Sequence, residues 1–444
     1  MHSDRYSFLK FVRYQDVLLW DNKRYFTTQV SSTFPLVRLG NYINEESLRY
    51  SISDATKTYG ILGVNNQIGI FDAYKESGSK IKQKYKKMQV GWLAYNPYRI
   101  NVGSIGIRTN VHHHEYISPA YVVFSCKEGL LPEFLFLLMK TDLFNKIIRE
   151  NTTGSVRQNL NFSVLSNLQI PLLSLEEQNS MVANYNKSLY LAYQYEQQAS
   201  DKEDGIHQYI NKQLGIKQVT SNKLGQKSSL QFIKYKDTLL RWDIWKGNNI
   251  ISSKYNIVKL QELIQQINTG TTPSTKRPEY FCGDIKFYTP SDIDGNMYLG
   301  ESERTLSQKA IVDKKAHIFQ KGDLLFVGIG STVGKVGVVN DDMVSSNQQI
   351  TGFTLDTQAI IPEYAFVYMN SNKDITTAEQ SKTTLPIVNQ EKIKNIHIPL
   401  PPLDIQNKIV AHIKEQMALA KQLKQKAKEI RAKALEEFEN EIFG

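Results

Sequence analysis

The sequence predicts an α+β fold in which two mixed α/β globular domains stand in tandem repeat, separated by two long helices that form an antiparallel coiled coil. Three observations carry that prediction. The stretch Ile170-Pro171-Leu172-Leu173-Ser174-Leu175-Glu176-Glu177-Gln178-Asn179 returns as Ile398-Pro399-Leu400-Pro401-Pro402-Leu403-Asp404-Ile405-Gln406-Asn407. Upstream stretches repeat in the same order, Phe11 to Asp16 against Phe232 to Asp237 and Phe34 to Leu39 against Tyr255 to Leu260. A long amphipathic segment without proline follows each copy of the first stretch. A repeat of this period decides the architecture before any local reading does.

In each copy an apolar strand stops at proline, a polar residue (Ser174, Asp404) sits where a helix would start, and the helix follows. Gly91 and Gly322, and Pro132-Glu133-Phe134 and Pro362-Glu363-Tyr364, extend the correspondence. The resulting division is a lead-in at 1–33, a first globular domain at 34–171 and a central spacer helix at 172–215. A polar linker at 216–230, a second globular domain at 231–401 with its own lead-in at 231–254, and a closing helix at 402–444 complete it. Leu175, Val182 and Leu189, with Tyr185 and Ala192 between them, form the packing seam of the first helix. Ser200 to Gly205 interrupts that seam, predicting a kink or fray before Ile206, Tyr209, Ile210 and Leu214 resume it and Gly215 ends it. The second helix carries Ile409, Ile413, Ala420, Leu423, Ala427, Ile430, Ala434 and Phe438 at spacings of three and four, a coiled-coil seam for which the first helix is the obvious antiparallel partner.

Composition narrows the function. The 444 residues are 41% hydrophobic and 11% aromatic, enough for real cores, and 54 Lys+Arg against 44 Asp+Glu give a net charge of +10 that favours a polyanionic partner. Cys126 and Cys282, one in each half, imply neither a disulfide framework nor a thiolate metal site and fit a reducing, cytoplasmic setting. The most apolar run, Leu130 to Met139, is too short to span a bilayer, and no secretory signal is read at the N-terminus.

Candidate contacts to nucleic acid fall in two places. Lys80, Lys82, Lys84, Lys86 and Lys87 alternate with Ile81, Gln83 and Tyr85, a period of two that predicts a row of ammonium groups on one strand face, suited to phosphates or equally to a protected edge strand. Tyr95, Asn96, Tyr98, Arg99, Asn101 and Ser104 follow in a turn, where arginine and asparagine suit guanine and adenine edges. In the second domain Thr271, Thr272, Ser274, Thr275, Lys276 and Arg277 crowd a loop, and Ser291, Asp292, Ser331, Thr332 and Lys335 lie at ends of short strands, as donors to phosphates or base edges or as plain hydrated loops.

Three catalytic or metal look-alikes fail on spacing. Asn96-Pro97-Tyr98 lacks one proline of the Asn-Pro-Pro-Tyr loop of amino-methyltransferases, and no Phe-x-Gly-x-Gly turn accompanies it. Gly328 to Lys335 is one residue short of a phosphate loop, and Val336 stands where Ser or Thr would meet magnesium. Gly334 to Gly337 instead takes the place of Gly103 to Gly106, a turn between strands. His112-His113-His114 has only Glu115 beside it and reads as a surface loop.

Gly270 to Tyr280, the paired Ile-Pro-Leu helix starts and Tyr95 to Gly106 together resemble the specificity subunit of Type I restriction-modification enzymes over almost the whole chain. The resemblance implies a non-catalytic reader of double-stranded DNA with two target recognition domains, each reading half of a bipartite, asymmetric site while the helices fix the gap. It implies two methyltransferase (modification) subunits as partners and, through the complex, restriction/translocase subunits. No cofactor is expected in this chain; S-adenosylmethionine, ATP and magnesium are expected in the partners. A coiled-coil scaffold that ignores DNA and a stand-alone DNA-modifying enzyme are the competing readings.

Overall fold

The computed structural model describes Thr28, 30–152, 159–218, 251–377 and 386–444. The repeat of Phe11 to Asp16 at Phe232 to Asp237 and most of the polar linker lie outside the described residues. The chain divides into two compact units, one running to Tyr195 and regaining the chain at Gln425–Gly444, the other comprising Glu196–Lys424.

The first unit holds two larger sheets and one two-stranded pair. Strands β1 (Leu36–Arg38), β2 (Ile43–Glu45), β3 (Arg49–Tyr50), β4 (Thr58–Asn65), β5 (Gly69–Ser77), β6 (Tyr85–Lys87), β7 (Leu93–Tyr95), β8 (Ile105–Ile107), β9 (Tyr116–Ile117) and β10 (Val122–Cys126) precede helices α1 (Pro132–Leu138), α2 (Asp142–Asn151) and α3 (Phe162–Asn167), strand β11 (Gln169–Pro171) and the long helix α4 (Leu175–Leu214). One sheet runs β2-β10-β7-β8 and the other β3-β6-β9-β4-β5, with β4 and β9 parallel. The core between the first sheet and the helices is built from Leu93, Tyr95, Phe124, Phe134, Phe144 and Ile170, all at most 1% exposed.

The second unit repeats that plan. After β12 (Lys217–Gln218) and β13 (Ile251–Ser252) come β14 (Ile257–Lys259), β15 (Ile264–Thr269), β16 (Phe281–Tyr288), β17 (Arg304–Leu306), α5 (Gln308–Val312), β18 (Ile318–Gln320), β19 (Leu324–Val327), β20 (Val336–Val338), β21 (Met343–Ser346) and β22 (Ile350–Leu355). Helices α6 (Pro362–Ser371), α7 (Lys373–Thr376) and α8 (Gln390–Lys394), strand β23 (His397–Pro399) and helix α9 (Leu403–Phe443) follow. The sheet β15-β22-β19-β20 matches β2-β10-β7-β8 strand for strand, and β17-β16-β21-β18 matches β5-β4-β9-β6, parallel pair included. The repeated Ile-Pro strands pair with the repeated upstream strands in one register, Val37 opposite Ile170 and Val258 opposite Ile398. Gly91 and Gly322 both take positive φ (85° and 92°), as do Gly103 and Gly334 (79° and 89°), so the shared turns use the conformation that only glycine adopts freely.

The repeated Gln-Asn explains itself physically. Gln178 is fully buried; its Oε1 accepts from the Leu131 N–H (2.8 Å), and its Nε2 donates to the carbonyls of Gly129 and Leu173 (2.9 Å each). Gln406, equally buried, accepts from the Ile361 N–H (2.8 Å) and donates to Ala359 O (3.0 Å) and Pro401 O (2.8 Å). One amide therefore ties the start of each long helix to the loop before α1 or α6, whose first residue is proline in both copies. Asn179 and Asn407 turn back onto the carbonyls of Leu175 and Leu403. In the first copy Ser174 and Glu177 form a capping box, the Ser174 N–H and hydroxyl both donating to Glu177 Oε2.

Two sequence expectations for the first helix need correction. α4 runs through Ser200 to Gly205 without a break, because a solvent-facing glycine costs a helix only about 1 kcal/mol and a Cβ at Gly205 would meet nothing within 4 Å. Its seam runs through Gln178, Met181, Tyr185, Ala192, Ala199, Ile206, Ile210 and Leu214; the expected Val182 packs on the first core and Leu189 is half-buried, whereas Leu175 is 44% exposed. Gly215 ends the helix at φ +64°, as expected. Residues 216–218 are no linker either, since Ile216 joins the second unit's core and Lys217–Gln218 pair with Ile251–Ser252.

Each unit pairs one stretch of α4 with one stretch of α9, and both pairings are antiparallel. In the first unit the Tyr185 ring lies 6.5 Å from that of Phe438, and the Lys426 ammonium 5.9 Å from the Tyr195 ring. In the second, Glu203 pairs with Lys424 (2.6 Å) and Tyr209 stacks on His412 at 4.1 Å. Ala192, Ala199, Ala420, Ala427 and Ala434 are all buried, the small residues that let helix backbones approach. Among the described residues no helix is long and apolar enough to cross a membrane.

Candidate nucleic-acid interface

Duplicated topology brings the same two loops together in both units. In the first, β4 and β5 form a hairpin whose tip, Asn66 to Ile68, lies beside the β7–β8 turn. The Lys140 ammonium donates to Gly103 O (2.8 Å) in the turn and Asn66 O (3.4 Å) in the tip, and the Ser104 hydroxyl donates to Val64 O (3.3 Å). The backbones approach so closely that a Cβ on Gly106 would stand 2.3 Å from the Ile70 nitrogen. Burial pushes the Lys140 pKa below the usual lysine range.

Local hydrogen bonds shape the tip. Asn65 Oδ1 accepts from the Gln67 and Ile68 N–H groups (3.0 and 2.8 Å), and Gly69 supplies the positive φ of 76° that returns the chain into β5. Asn66, Gln67, Ile68, Tyr98, Arg99 and Val102 are exposed around it. Asn96 is half-buried and spends its Oδ1 on the Tyr98 N–H (3.0 Å), shaping the turn that presents Tyr98 and Arg99. Asn101 lies in the single helical turn Ile100–Val102 that follows.

In the second unit the corresponding loops border a cleft of about 420 Å³ lined by Thr289 and Ser291 after β16, Arg304 at the start of β17, Ser331 and Thr332 in the β19–β20 turn, and Asn347 and Gln349 before β22. Asn347 Oδ1 accepts from the Gln349 N–H, and Asn347 Nδ2 donates to Gln349 Oε1 (3.0 Å each), so the two amides are set by one another. A neighbouring cleft of about 270 Å³ carries Thr269, Gln348, Gln349, Asn389 and Gln390. The Thr272 hydroxyl donates to Gln348, joining the 271–277 loop to this rim, while Thr271, Ser274, Thr275, Lys276 and Arg277 are exposed along it, Arg277 3.9 Å from Glu279. Lys335, half-buried at the end of the β19–β20 turn, makes no ion pair among the described residues.

Several predicted contacts are relocated. The lysine row does not exist: β6 holds only Tyr85–Lys87, Lys80 ends a helical turn beside Glu76 (3.8 Å), and Lys86 is buried with its ammonium on Tyr121 O (2.9 Å). Burial also lowers the Lys86 pKa. Only Lys82 and Lys84 stay exposed without an ion pair among the described residues. They follow the far end of the nine-residue β5, roughly 26 Å from the hairpin tip at 3.3 Å per residue. Tyr95 is a core residue whose hydroxyl donates to Leu160 O (3.1 Å), and Ser104 is an internal brace at 3% exposure. Asp292 is spent as a turn acceptor for the Thr289 and Glu303 N–H groups. The His112 to His114 loop is pinned, His113 N and His114 N both donating to Asp72 (3.0 Å).

Sequence reasoning passed over Asn66, Gln67, Ile68, Lys140, Arg304, Asn347 and Gln349. Asn-Asn-Gln between two alternating apolar runs was the legible hairpin signal.

The family model described as "Type I restriction modification DNA specificity domain" matches residues 56–184 and 252–431, more than half of the chain and one segment in each half. The chain belongs to the Type I restriction-modification DNA specificity family. It is 28% identical over 210 residues to the Type I restriction enzyme MjaIX specificity subunit of Methanocaldococcus jannaschii, covering 45% of this chain and 47% of that one. It is 25% identical over 132 residues to the EcoDI specificity subunit of Escherichia coli, 30% of this chain and 29% of that one. Each match thus spans less than half of the relative's own length. A chain solved in connection with complex assembly and conformational transition of the type I R-M system shares the fold with a TM-score of 0.57 at 16% identity, covering 93% of this chain and 97% of that one. Membership in this specificity family and the solved chain's fold agree with the tandem-domain architecture. The Lys140-braced loops and the Arg304 cleft are features of this chain's own geometry.

Proposed function

We propose that this chain is the DNA sequence-specificity subunit of a Type I restriction-modification complex. Each globular domain reads one half of a bipartite, asymmetric site in duplex DNA through its paired loops, and α4 and α9 set the gap and dock the modification subunits. Restriction subunits join through that complex, in the cytoplasm. Catalysis resides in the partners, with S-adenosylmethionine, ATP and magnesium bound there.

The observation that carries this reading is that two copies of one topology each bring the β4–β5 or β16–β17 connection against the β7–β8 or β19–β20 turn, with different side chains on each. A repeated scaffold with divergent loops fits a reader of two unlike half-sites. Amides, an arginine and hydroxyls on these paired loops supply the donor and acceptor patterns that major-groove edges require, and the net charge of +10 suits a polyanion.

Exchange of residues 34–171 for the first domain of another family member tests the reading. In complex with the modification subunits, the hybrid is expected to select DNA altered in one half-site and unchanged in the other. Alteration of both halves refutes the independence of the two domains.

A second expectation separates positioning from reading. Replacing Lys82 and Lys84 by alanine should weaken binding to all sequences alike and lower the salt slope by up to about two, roughly 0.9 for each phosphate that is no longer neutralised. An unchanged slope marks them as solvated surface, and a changed sequence preference excludes a purely phosphate role.

A further inference from the structure

We propose that Ile68 and Val102 read thymine in the half-site met by the first domain, packing on C5 methyl groups in the major groove. This rests on the DNA-reading function proposed above. Ile68 and Val102 are 67% and 56% exposed, and they stand on the two loops that Lys140 joins, among the exposed polar side chains of Asn66, Gln67, Tyr98 and Arg99.

Neither residue belongs to a core cluster, and neither holds its loop in place. The tip is fixed by Asn65 and Gly69, the turn by Asn96 and Gly103, and the junction by Lys140, Ser104 and Gly106. A single exposed apolar residue needs no explanation. Two on adjacent hydrogen-bonded loops, interleaved with amides and an arginine, make a mixed surface whose complement must also be mixed. The major groove is such a surface: its edges are hydrogen-bond donors and acceptors, its one apolar group is the thymine methyl, and it admits a two-stranded ribbon like β4–β5. An amide at Asn66 or Gln67 beside Ile68 pairs with adenine while the isoleucine covers a thymine methyl.

The test uses the full chain in complex with its modification subunits and a duplex that the complex selects from a random pool. The relevant half-site is the one that changes when residues 34–171 are exchanged. Each thymine there is replaced singly by deoxyuridine, which removes only the methyl. One or two positions are expected to lose roughly fourfold in affinity, the worth of one buried carbon. The Ile68→Ala/Val102→Ala variant should bind the parent duplex more weakly and show no deoxyuridine penalty. A selected half-site without thymine, a complex that tolerates deoxyuridine throughout, or a penalty that persists in the variant overturns the proposal while leaving DNA specificity intact. A complex that enriches no sequence overturns the underlying function and this reading with it. Loss of modification-subunit binding in the variant, with DNA selection unchanged, assigns the two side chains to a protein partner and also overturns it.

Discussion

Replacing Gln178 by alanine is expected to destabilise the first unit by about 3 kcal/mol, because it leaves the half-buried Leu131 N–H without its acceptor and removes the donor from two carbonyls at once. The side chain is fully buried, so water does not substitute freely. Gln406→Ala should do the same to the second unit through Ile361, Ala359 and Pro401. The two effects should be separable, since the clusters around Phe124 and around Phe353 are distinct cores. Hydrogen exchange resolved by peptide measures this directly. In the Gln178→Ala protein the amides of β7 and β10 should lose protection while those of β19 and β22 keep theirs, with the reverse for Gln406→Ala. Gln178→Glu should rescue little, because a carboxylate accepts from Leu131 but donates to neither carbonyl. Equal loss of protection in both units from either change would show that the clamp is not local.

The repeat was legible because its signals are local and chemically restrictive. Proline at the end of β11 and β23, proline opening α1 and α6, and glycine at positive φ in the shared turns are each imposed by backbone geometry, so they survive when the surrounding side chains diverge. The Gln-Asn pair was visible as a repeat, but its role was not, because its partners at 129–131 and 359–361 are remote in sequence. A helix break at Gly205 does not follow from composition: charges and one glycine on an exposed face interrupt the hydrophobic pattern without interrupting the backbone ladder.

Burial is what sequence could not decide at the candidate interface. Alternation from Lys80 to Lys87 matched a strand, but only Tyr85–Lys87 is one: Lys80 ends a helical turn, the chain bends at Gln83, and Lys86 within the short strand points inward to a carbonyl. Tyr95 and Ser104 flank an exposed turn yet face the core, whereas Tyr98 and Arg99 between them face out. The hairpin tip and the turn meet only because β4 and β8 lie in different sheets brought together through Lys140, Ser104 and Gly106. Lys140 itself carried no pattern at all, since a desolvated lysine serving two carbonyls looks in sequence like any surface charge.

Arg304→Ala and Lys335→Ala should part company in the second domain. Arg304 lies exposed at the rim of the cleft shared by Asn347 and Gln349, with no ion pair among the described residues. An arginine so placed can make the bidentate contact to guanine that is worth about 1 to 3 kcal/mol of discrimination. Its removal is therefore expected to relax preference at one base pair of the second half-site by roughly 10-fold or more, leaving the first half-site and the salt slope nearly unchanged. Lys335 ends the neighbouring turn as a point charge, so Lys335→Ala should weaken all sequences alike and reduce the salt slope by about one. Arg304→Lys distinguishes geometry from charge: the ammonium keeps the charge but loses the fork, so specificity should stay relaxed while the salt slope is retained. Binding-site selection at two salt concentrations measures both quantities. A uniform loss of affinity from Arg304→Ala, fully restored by Arg304→Lys, would place that side chain on the phosphate backbone and leave base reading in this domain to the coupled amides of Asn347 and Gln349.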